Sequence, residues 1–206
     1  MEDQLVAQTI DLPGGQIELL QPREGAEIPD DHEVAWAPLA PYWSVLWRSG
    51  VALAREVAGL QLRGRTIVEL GCGLGTPSLA AARRGAVVLA TDRDPAALKL
   101  LERNAKLNGV QVETARLEWS DAEVLIARAP FDLVLAADVL YERPSVARLL
   151  GLLPRLAPEA LIADPGRPAG GPFLEQARQR WKVETRKRGV VQIHRLRFNG
   201  PVSSAD

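Results

Sequence analysis

The sequence predicts an α/β fold, in which a mostly parallel sheet of seven strands carries helices on both faces and an antiparallel hairpin at its C-terminal end. From residue 66 onward, short apolar segments typical of buried strands alternate with helical segments, which is the pattern of βαβ units. The first of these strands runs directly into a glycine-rich turn. After Gln179 the alternation ends, and segments 181–187 and 190–198 flank Arg188-Gly189 in the manner of a hairpin.

Length and composition favour one domain and argue against several functions. The 206 residues, of which 47% are hydrophobic, suffice for one domain with a full core. A net charge of −1 gives no electrostatic footprint for nucleic acid, and one cysteine with two histidines argues against a disulfide or a structural metal site. The chain shows neither an apolar stretch long enough to cross a bilayer nor a charged-then-apolar leader. We therefore expect a cytoplasmic protein without a metal, whose partners include neither nucleic acid nor membrane.

The N-terminal part is predicted to be an extension, residues 1–65, packed on a core domain of residues 66–206. Gly14-Gly15 lies between short alternating segments, which predicts a small β element. Residues 22–31 read as a polar connection that contains proline.

An aromatic segment from Trp36 to Trp47 follows this connection and leads into a helix from about Ser49 to Leu60. The segment enters the fold just before the first core strand. Two roles therefore remain open for its aromatic side chains, which either pack on the core or cover a site at the end of that strand.

The first core strand, predicted at 66–70, ends in a turn suited to the close approach of a ligand. Glycines stand there at alternate positions, namely Gly71, Gly73 and Gly75. Without a Cβ, such residues allow a tight turn and let a ligand touch the main chain. Thr76 is predicted to cap the next helix and Pro77 to occupy its first position, so that the helix N-terminus faces the turn.

The next core strands are predicted at 86–91, 111–115, 132–137 and 159–163. Asp92 follows the second strand about 20 residues after the first glycine, where a carboxylate can accept hydrogen bonds from both hydroxyls of a ribose. Asp94 stands before a proline and is predicted to cap a helix over 95–107, which Asn108-Gly109 ends.

The glycine pattern discriminates between cofactors. Residues 69–75 read Glu-Leu-Gly-Cys-Gly-Leu-Gly, whereas a nicotinamide dinucleotide site usually has GxGxxG with a pyrophosphate at the helix N-terminus. The Glu69 carboxylate would repel a pyrophosphate but suits a ligand that carries an ammonium and a sulfonium, as S-adenosylmethionine does. With Asp92, the segment resembles the first motif of the seven-strand, class I methyltransferases, which have a Rossmann-like fold. In that family the loop borders the methionine moiety. A Rossmann-like domain for another nucleotide remains the alternative.

Polar and aromatic residues follow the later strands at the edge where ligands of parallel sheets bind. Glu118-Trp119 offers a carboxylate and an indole that can hydrogen-bond and cover an adenine ring. Asp138 stands at the mouth of the predicted site, with Tyr141 one helical turn later if the chain has begun to coil. After the fifth strand, the segment 164–167 reads Asp-Pro-Gly-Arg, which is either a substrate-side loop or a turn with an ion pair.

Asp138-Val-Leu-Tyr141 matches the DxxY motif of the seven-strand protein-lysine methyltransferases. The resemblance covers roughly residues 38–170, including Pro41-Tyr-Trp43 and the segment 164–167, and is closest to the branch that methylates the β subunit of electron transfer flavoprotein. It implies S-adenosylmethionine as cofactor, S-adenosylhomocysteine as product, and a protein substrate for which that β subunit is a candidate. It also implies that Asp138 lies near the incoming lysine.

The resemblance implies a cofactor site lined by Trp47, Glu69, Gly71, Gly73, Asp92, Trp119 and Ala137. Three neighbouring residues complete the predicted site, namely Cys72, Gly75 and Glu118. On the substrate side we expect Asp138, Tyr141, Asp164 and Arg167.

Methyl transfer from a sulfonium requires a neutral nucleophile held near attack distance, so that positioning is the main task and no metal is needed. Asp138 is predicted to orient the lysine amine and share its proton as it leaves, while Tyr141 shapes the channel. The alternative is that Asp138 caps the following helix and Tyr141 packs. His194, in the predicted hairpin, is expected on a surface or sheet face and not in catalysis.

Two other functions remain open at this point. One keeps the cofactor but transfers the methyl group to a small amine or pyridine, and the other is a non-catalytic binding scaffold. A groove that reaches the surface beside Asp138 would favour lysine, whereas a lid formed by residues 36–47 would favour a small ligand.

Overall fold

The computed structural model describes residues 5–26, 41–141 and 143–200. Its strands are β1 (Leu5–Leu12), β2 (Gly15–Pro22), β3 (Thr66–Leu70), β4 (Val87–Asp92), β5 (Glu113–Arg116), β6 (Leu133–Ala137), β7 (Glu159–Asp164), β8 (Trp181–Arg188) and β9 (Val191–Phe198). Its helices are α1 (Arg23–Ala26), α2 (Arg48–Ala58), α3 (Thr76–Arg83), α4 (Pro95–Leu107), α5 (Glu123–Ile126), α6 (Arg143–Leu156) and α7 (Gly170–Ala177), and a 3₁₀ turn covers Tyr42–Ser44.

The central sheet has the strand order β5-β4-β3-β6-β7-β9-β8. The first five of these strands are parallel, whereas β9 runs antiparallel to both β7 and β8. The predicted mostly parallel sheet with a C-terminal hairpin is therefore confirmed. Because Asp164 pairs with Gln192, the turn between β8 and β9 lies at the edge where the parallel strands end. We call this the carboxyl edge.

Helices cover both faces of the sheet. Side chains along β3 point to both faces. Ile67 packs against α2 and α3, whereas Val68 and Leu70 pack on the face covered by α5, α6 and α7. Strands buried on both faces account for the nearly continuous apolar runs in the sequence. Helices α2 and α3 begin at the carboxyl edge, so the backbone amides of their first turns, which lack acceptors within the regular helix, point toward it.

The predicted small β element is the antiparallel hairpin β1–β2, which docks on α4. Buried Asn104 donates from Nδ2 to the carbonyl of Leu20 over 3.1 Å and accepts its amide at Oδ1 over 2.8 Å. Asn108 likewise donates from Nδ2 to the carbonyl of Glu18 over 2.6 Å and accepts the Glu18 amide at Oδ1 over 2.9 Å. Two asparagine side chains one helical turn apart thus make the backbone hydrogen bonds that a neighbouring strand would otherwise make with β2. The division into an extension and a core domain at residue 65 remains a prediction.

Element boundaries agree closely with the sequence, with a few differences. Helix α4 spans the predicted residues, and Asp94 caps it by accepting the Ala96 amide over 2.8 Å. The predicted Thr76 cap is wrong, because Gly75 is the N-cap of α3 and Thr76 is its first residue. The third core strand begins at 113 instead of 111, and β9 begins one residue late because Val190 lies in the turn.

Two predictions fall partly outside the described residues. They are the polar connection beyond residue 26 and the part of the aromatic segment before residue 41, including Trp36. Within the described ranges, no helix is both long and apolar enough to cross a membrane.

Candidate active site

Most of the predicted site residues lie at the carboxyl edge because they stand at the ends of parallel strands or directly after them. The glycine loop follows β3, Asp92 ends β4, Trp119 follows β5, and Asp138 follows β6. Asp164 ends β7 at the same edge. An open parallel sheet binds its ligands in this place, so the topology brings together residues that lie up to a hundred positions apart.

The glycine loop has a left-handed backbone at all three alternate glycines, with φ of 67° at Gly71, 50° at Gly73 and 72° at Gly75. A Cβ on Gly73 would lie 3.2 Å from the carbonyl oxygen of Trp43, and one on Gly75 would overlap the side chain of Leu101. Glycine is therefore required for both backbone conformation and space at these positions. The loop leaves main-chain atoms within reach of a ligand.

Asp92 ties the glycine loop to β4. Its Oδ2 accepts the Gly73 amide over 2.9 Å and its Oδ1 accepts the Asp94 amide over 2.9 Å. Each carboxylate oxygen has a second lone pair, so the group retains capacity for two further donors. The pair of ribose hydroxyls predicted from the sequence matches that capacity.

Glu69 is buried beneath the loop, and its Oε2 accepts both the amide, over 3.0 Å, and the hydroxyl of Ser78. The Ser78 amide is one of the unpaired donors in the first turn of α3, so Glu69 provides the cap that was expected from Thr76. Burial raises the pKa of Glu69 from 4.5 to about 8, with the hydrogen bonds from Ser78 opposing the shift. The carboxyl group is thus largely protonated near neutral pH unless a cation lies beside it.

The remaining predicted cofactor residues surround this loop. Trp119 is half-buried, and its Cζ2 lies 3.8 Å from where a Cβ on Gly71 would stand, so the indole borders the loop. Glu118 is exposed, and Ala137 is half-buried at the end of β6. Cys72 is buried, and burial raises the pKa of its thiol well above the usual value, which makes it an inert residue.

Asp138 has a left-handed backbone, with φ of 59°, which is uncommon for a residue other than glycine. Its amide donates to the carbonyl of Ala163 over 2.9 Å, so the bend is fixed to β7. Its carboxylate, only 7% exposed, accepts a hydrogen bond from Nε of Arg167 over 2.5 Å. Since α6 begins only at Arg143, the alternative of Asp138 as a helix cap does not hold.

Tyr141 is 51% exposed, which does not fit the alternative in which its ring packs in the core. The chain from 138 to 141 is not helical, so the expected spacing of one helical turn from Asp138 is wrong. The left-handed bend at Asp138 breaks the continuation from β6 into a helix. A role of Tyr141 in the substrate channel remains a prediction.

The segment 164–167 forms a turn with an ion pair, and its role as a substrate-side loop remains a prediction. The buried Asp164 carboxylate accepts the amides of Gly166, over 2.9 Å, and Arg167, over 3.1 Å at Oδ2, which fixes the turn. Burial raises the pKa of Asp164, while these amides oppose the shift. The ion pair is made by the Arg167 side chain with Asp138, not with Asp164. The Arg167 guanidinium also lies 5.8 Å from the ring centre of half-buried Trp47.

Two residues that shape the site, Val139 and Ser78, were not predicted from the sequence, whereas Trp43 belongs to the aromatic segment that was. Trp43 lies over Gly73, Val139 lies beside Gly71, and Ser78 holds Glu69. Ser78 carried a usable signal, because the first turn of a helix always has amides that need acceptors. Val139 carried no signal of its own, because its position depends on how the loops assemble. The position of Trp43 agrees with the role left open for the aromatic segment, in which it covers the end of the first core strand.

The family model and the curated proteins that resemble this chain are described as lysine methyltransferases. Residues 42–163 match the model of a family described as lysine methyltransferase. The chain is 32% identical over 171 residues to the Mus musculus electron transfer flavoprotein beta subunit lysine methyltransferase, covering 76% of this chain and 62% of that protein. It is 34% identical over 121 residues to the Danio rerio protein N-lysine methyltransferase METTL21A, covering 55% of each chain. The chain thus spans only part of the curated relatives that it matches.

A solved structure confirms the fold. The T. thermophilus 16S rRNA N2 G1207 methyltransferase RsmC, in complex with AdoMet and guanosine, aligns with a TM-score of 0.69 at 18% identity, covering 95% of this chain and 51% of that one. At this identity the likeness shows the architecture alone. The family model, by contrast, extends over more than half of the chain and agrees with the DxxY resemblance. The chain belongs to the lysine methyltransferase family.

Proposed function

We propose that this protein is an S-adenosylmethionine-dependent methyltransferase that acts on the side-chain nitrogen of lysine in a protein substrate. The observation that carries the proposal is the position of Asp138. Its carboxylate is held at the carboxyl edge, between the glycine loop after β3 and the turn after β7. The family and the names of the relatives support the same reaction.

The residues present fit S-adenosylmethionine. The left-handed glycines leave the main chain open to the methionine moiety, and Asp92 has two lone pairs suited to a ribose. Glu69 offers the second test of fit, since burial favours its neutral form and only a neighbouring cation would make its ionised form favourable. An ammonium and a sulfonium are such cations, whereas a pyrophosphate is not. Trp119, whose indole borders Gly71, would cover the adenine.

When bound, the cofactor supplies a methyl group on a positively charged sulfur, and transfer forms an N–C bond as the S–C bond breaks, leaving S-adenosylhomocysteine. The protein must present the acceptor amine without its proton and in line with that bond. In this proposal, Asp138 accepts a hydrogen bond from the amine and so orients its lone pair. The proton of the lysine ammonium, whose pKa in water is about 10.4, is lost to solvent before transfer.

The exposure of Tyr141 supports a protein acceptor over a small one. Its side chain reaches the surface three residues beyond Asp138, which fits an acceptor that enters from outside on a long side chain. A lid would favour a small ligand, and the part of the predicted lid before residue 41 lies outside the described residues.

For the substrate, we propose the β subunit of electron transfer flavoprotein as the first candidate, because several relatives are named for methylating it. A cytoplasmic location also remains a proposal, which cell fractionation tests. Nucleic acid is not proposed as a partner, given the net charge of −1.

The test is incubation with methyl-labelled S-adenosylmethionine and a lysate of the source organism, followed by separation of protein from small molecules. We expect label in a protein band that disappears with Asp138→Ala. An Arg128→Gln control removes an exposed ion pair with Glu113 at the opposite edge of the sheet and should leave the label unchanged. Label confined to small molecules would establish the small-acceptor alternative. Absence of label despite S-adenosylhomocysteine binding would indicate a scaffold.

A further inference from the structure

Three contacts from different parts of the chain hold Arg167. Its backbone amide donates to the Asp164 carboxylate, its Nε donates to Oδ1 of Asp138 over 2.5 Å, and its guanidinium carbon lies 5.8 Å from the centre of the Trp47 ring. The side chains of Arg167 and Asp138 are only 24% and 7% exposed. A partly buried ion pair with an aromatic ring beside it is better ordered than a surface pair.

The pairing bears on a problem that any lysine methyltransferase must solve. The reaction needs a neutral amine, but an unpaired carboxylate beside the amine would stabilise the ammonium and raise its pKa. Such a carboxylate would bind the substrate tightly in the wrong protonation state. Described groups with charge near Asp138 are Arg167 and Asp164. The Asp164 carboxylate accepts the two amides of the 164–167 turn, and burial raises its pKa toward the neutral form.

We propose that Arg167 is a positioning residue that compensates the charge of Asp138, so that the site accepts lysine as the neutral amine. This inference rests on the proposed function. Arg167 fixes one oxygen of the carboxylate and balances its charge. The second oxygen then acts as a hydrogen-bond acceptor that orients the amine without trapping its proton. Asp138 is accordingly an orienting acceptor and not a general base.

The test uses two cofactor adducts and needs no protein substrate. In both adducts a nitrogen replaces the sulfur of S-adenosylhomocysteine, and this nitrogen carries an aminobutyl arm in one and a butyl arm in the other. Calorimetry gives the affinity of each adduct for the full chain at about pH 7, where the arm amine is charged. The ratio of the two affinities reports how strongly the site attracts an ammonium. Because both adducts share the adenosine and methionine parts, general damage to the site cancels from the ratio.

The ratio of the two affinities should change in opposite directions in the two single variants. Arg167→Gln leaves Asp138 unpaired and should raise the ratio in favour of the aminobutyl adduct about tenfold. Asp138→Asn removes the negative charge that faces Arg167 and should lower the ratio. The double variant and Arg167→Lys should return it to near the wild-type value, and Arg128→Gln, which breaks a distant pair, should not move it.

The pH dependence gives a second readout. In Arg167→Gln the excess affinity for the aminobutyl adduct should disappear as the pH rises above the pKa of the arm, whereas a purely structural role of Arg167 would weaken both adducts equally at every pH. An unchanged ratio in Arg167→Gln overturns the inference. If neither the wild type nor any variant bound either adduct, the chain would lack the proposed cofactor site, and the proposed function would be overturned as well.

Discussion

The amide of Gly73 donates to Oδ2 of Asp92 over 2.9 Å, which joins the glycine loop to the end of β4. The two elements that would hold the methionine and ribose parts of the cofactor are therefore one hydrogen-bonded unit. Binding at one part is coupled to the geometry of the other, and the sequence spacing between loop and carboxylate has a physical cause.

Replacement of this carboxylate tests the ribose site. Asp92→Asn retains an acceptor for the Gly73 amide but loses the negative charge and one acceptor. Since hydrogen bonds to charged groups contribute roughly 1.5–3 kcal/mol, we expect the affinity for S-adenosylhomocysteine to fall at least about tenfold by calorimetry. Asp94→Asn is the matched control, because Asp94 only caps α4 and its replacement should change affinity less than about twofold. Equal losses in both variants would show that Asp92 does not contact the ligand.

Packing at the glycine loop makes a prediction for stability. Gly75→Ala places a methyl group against buried Leu101 at a residue with positive φ. Gly64 also has a positive φ, of 76°, but a methyl group added there would meet open space. We expect Gly64→Ala to lower the free energy of unfolding by about 1 kcal/mol and Gly75→Ala by about 1–3 kcal/mol more. Urea denaturation of both variants measures the difference. Equal losses would mean that Leu101 relaxes without cost.

The buried Glu69 makes the stability of the free protein depend on pH. Its pKa is raised from 4.5 to about 8, so the folded state holds a proton that the unfolded state releases in this range. The stabilisation is fully present below pH 4.5 and is lost as the pH rises through 8. Relative to Glu69→Gln, the wild type should therefore lose stability between these limits, as measured by urea midpoints. A parallel pH profile in the two proteins would contradict the shifted pKa.

Cofactor binding should reverse the protonation of Glu69. An ammonium placed beside the carboxyl group favours its ionised form, so binding of S-adenosylhomocysteine at about pH 7 should release up to about one proton. Calorimetry in buffers with different ionisation enthalpies counts that proton. Glu69→Gln should lack this proton release. Identical proton release from both proteins would mean that the ammonium does not lie beside Glu69.

His194 makes an opposite contribution at acid pH. It is buried on β9 with Nδ1 2.9 Å from the Thr185 hydroxyl, and burial lowers its pKa from 6.5 to about 4. The unfolded state therefore binds a proton first, and stability falls by about 3 kcal/mol as the pH drops from 6.5 to 4. His194→Gln should flatten this part of the urea-midpoint profile. A variant as acid-sensitive as the wild type would assign the loss to other groups.

The segment from β3 to β4 could be predicted because its signals are local. Gly71, Gly73 and Asp92 occupy fixed positions in one strand-turn-helix-strand unit, and the order of strands then places the later loops at the same edge. The family model and the strand order confirm the family and the fold that those signals predicted.

The contacts that complete the site could not be predicted in the same way. Arg167 and Asp138 are far apart along the chain and meet only because β6 and β7 are neighbours. Glu69, and not Thr76, accepts an amide in the first turn of α3, because Thr76 is itself the first residue of that helix. Such choices depend on the assembled fold, since several side chains compete for each unpaired donor.

The most direct test of lysine methylation is the chemical identity of the labelled product. A protein band labelled by the wild type from methyl-labelled S-adenosylmethionine is hydrolysed in acid, and its amino acids are separated. We expect the label to be recovered as methylated lysine and Asp138→Ala to yield none. Recovery in methylarginine, as volatile methanol from an ester, or only in a small molecule would contradict this expectation.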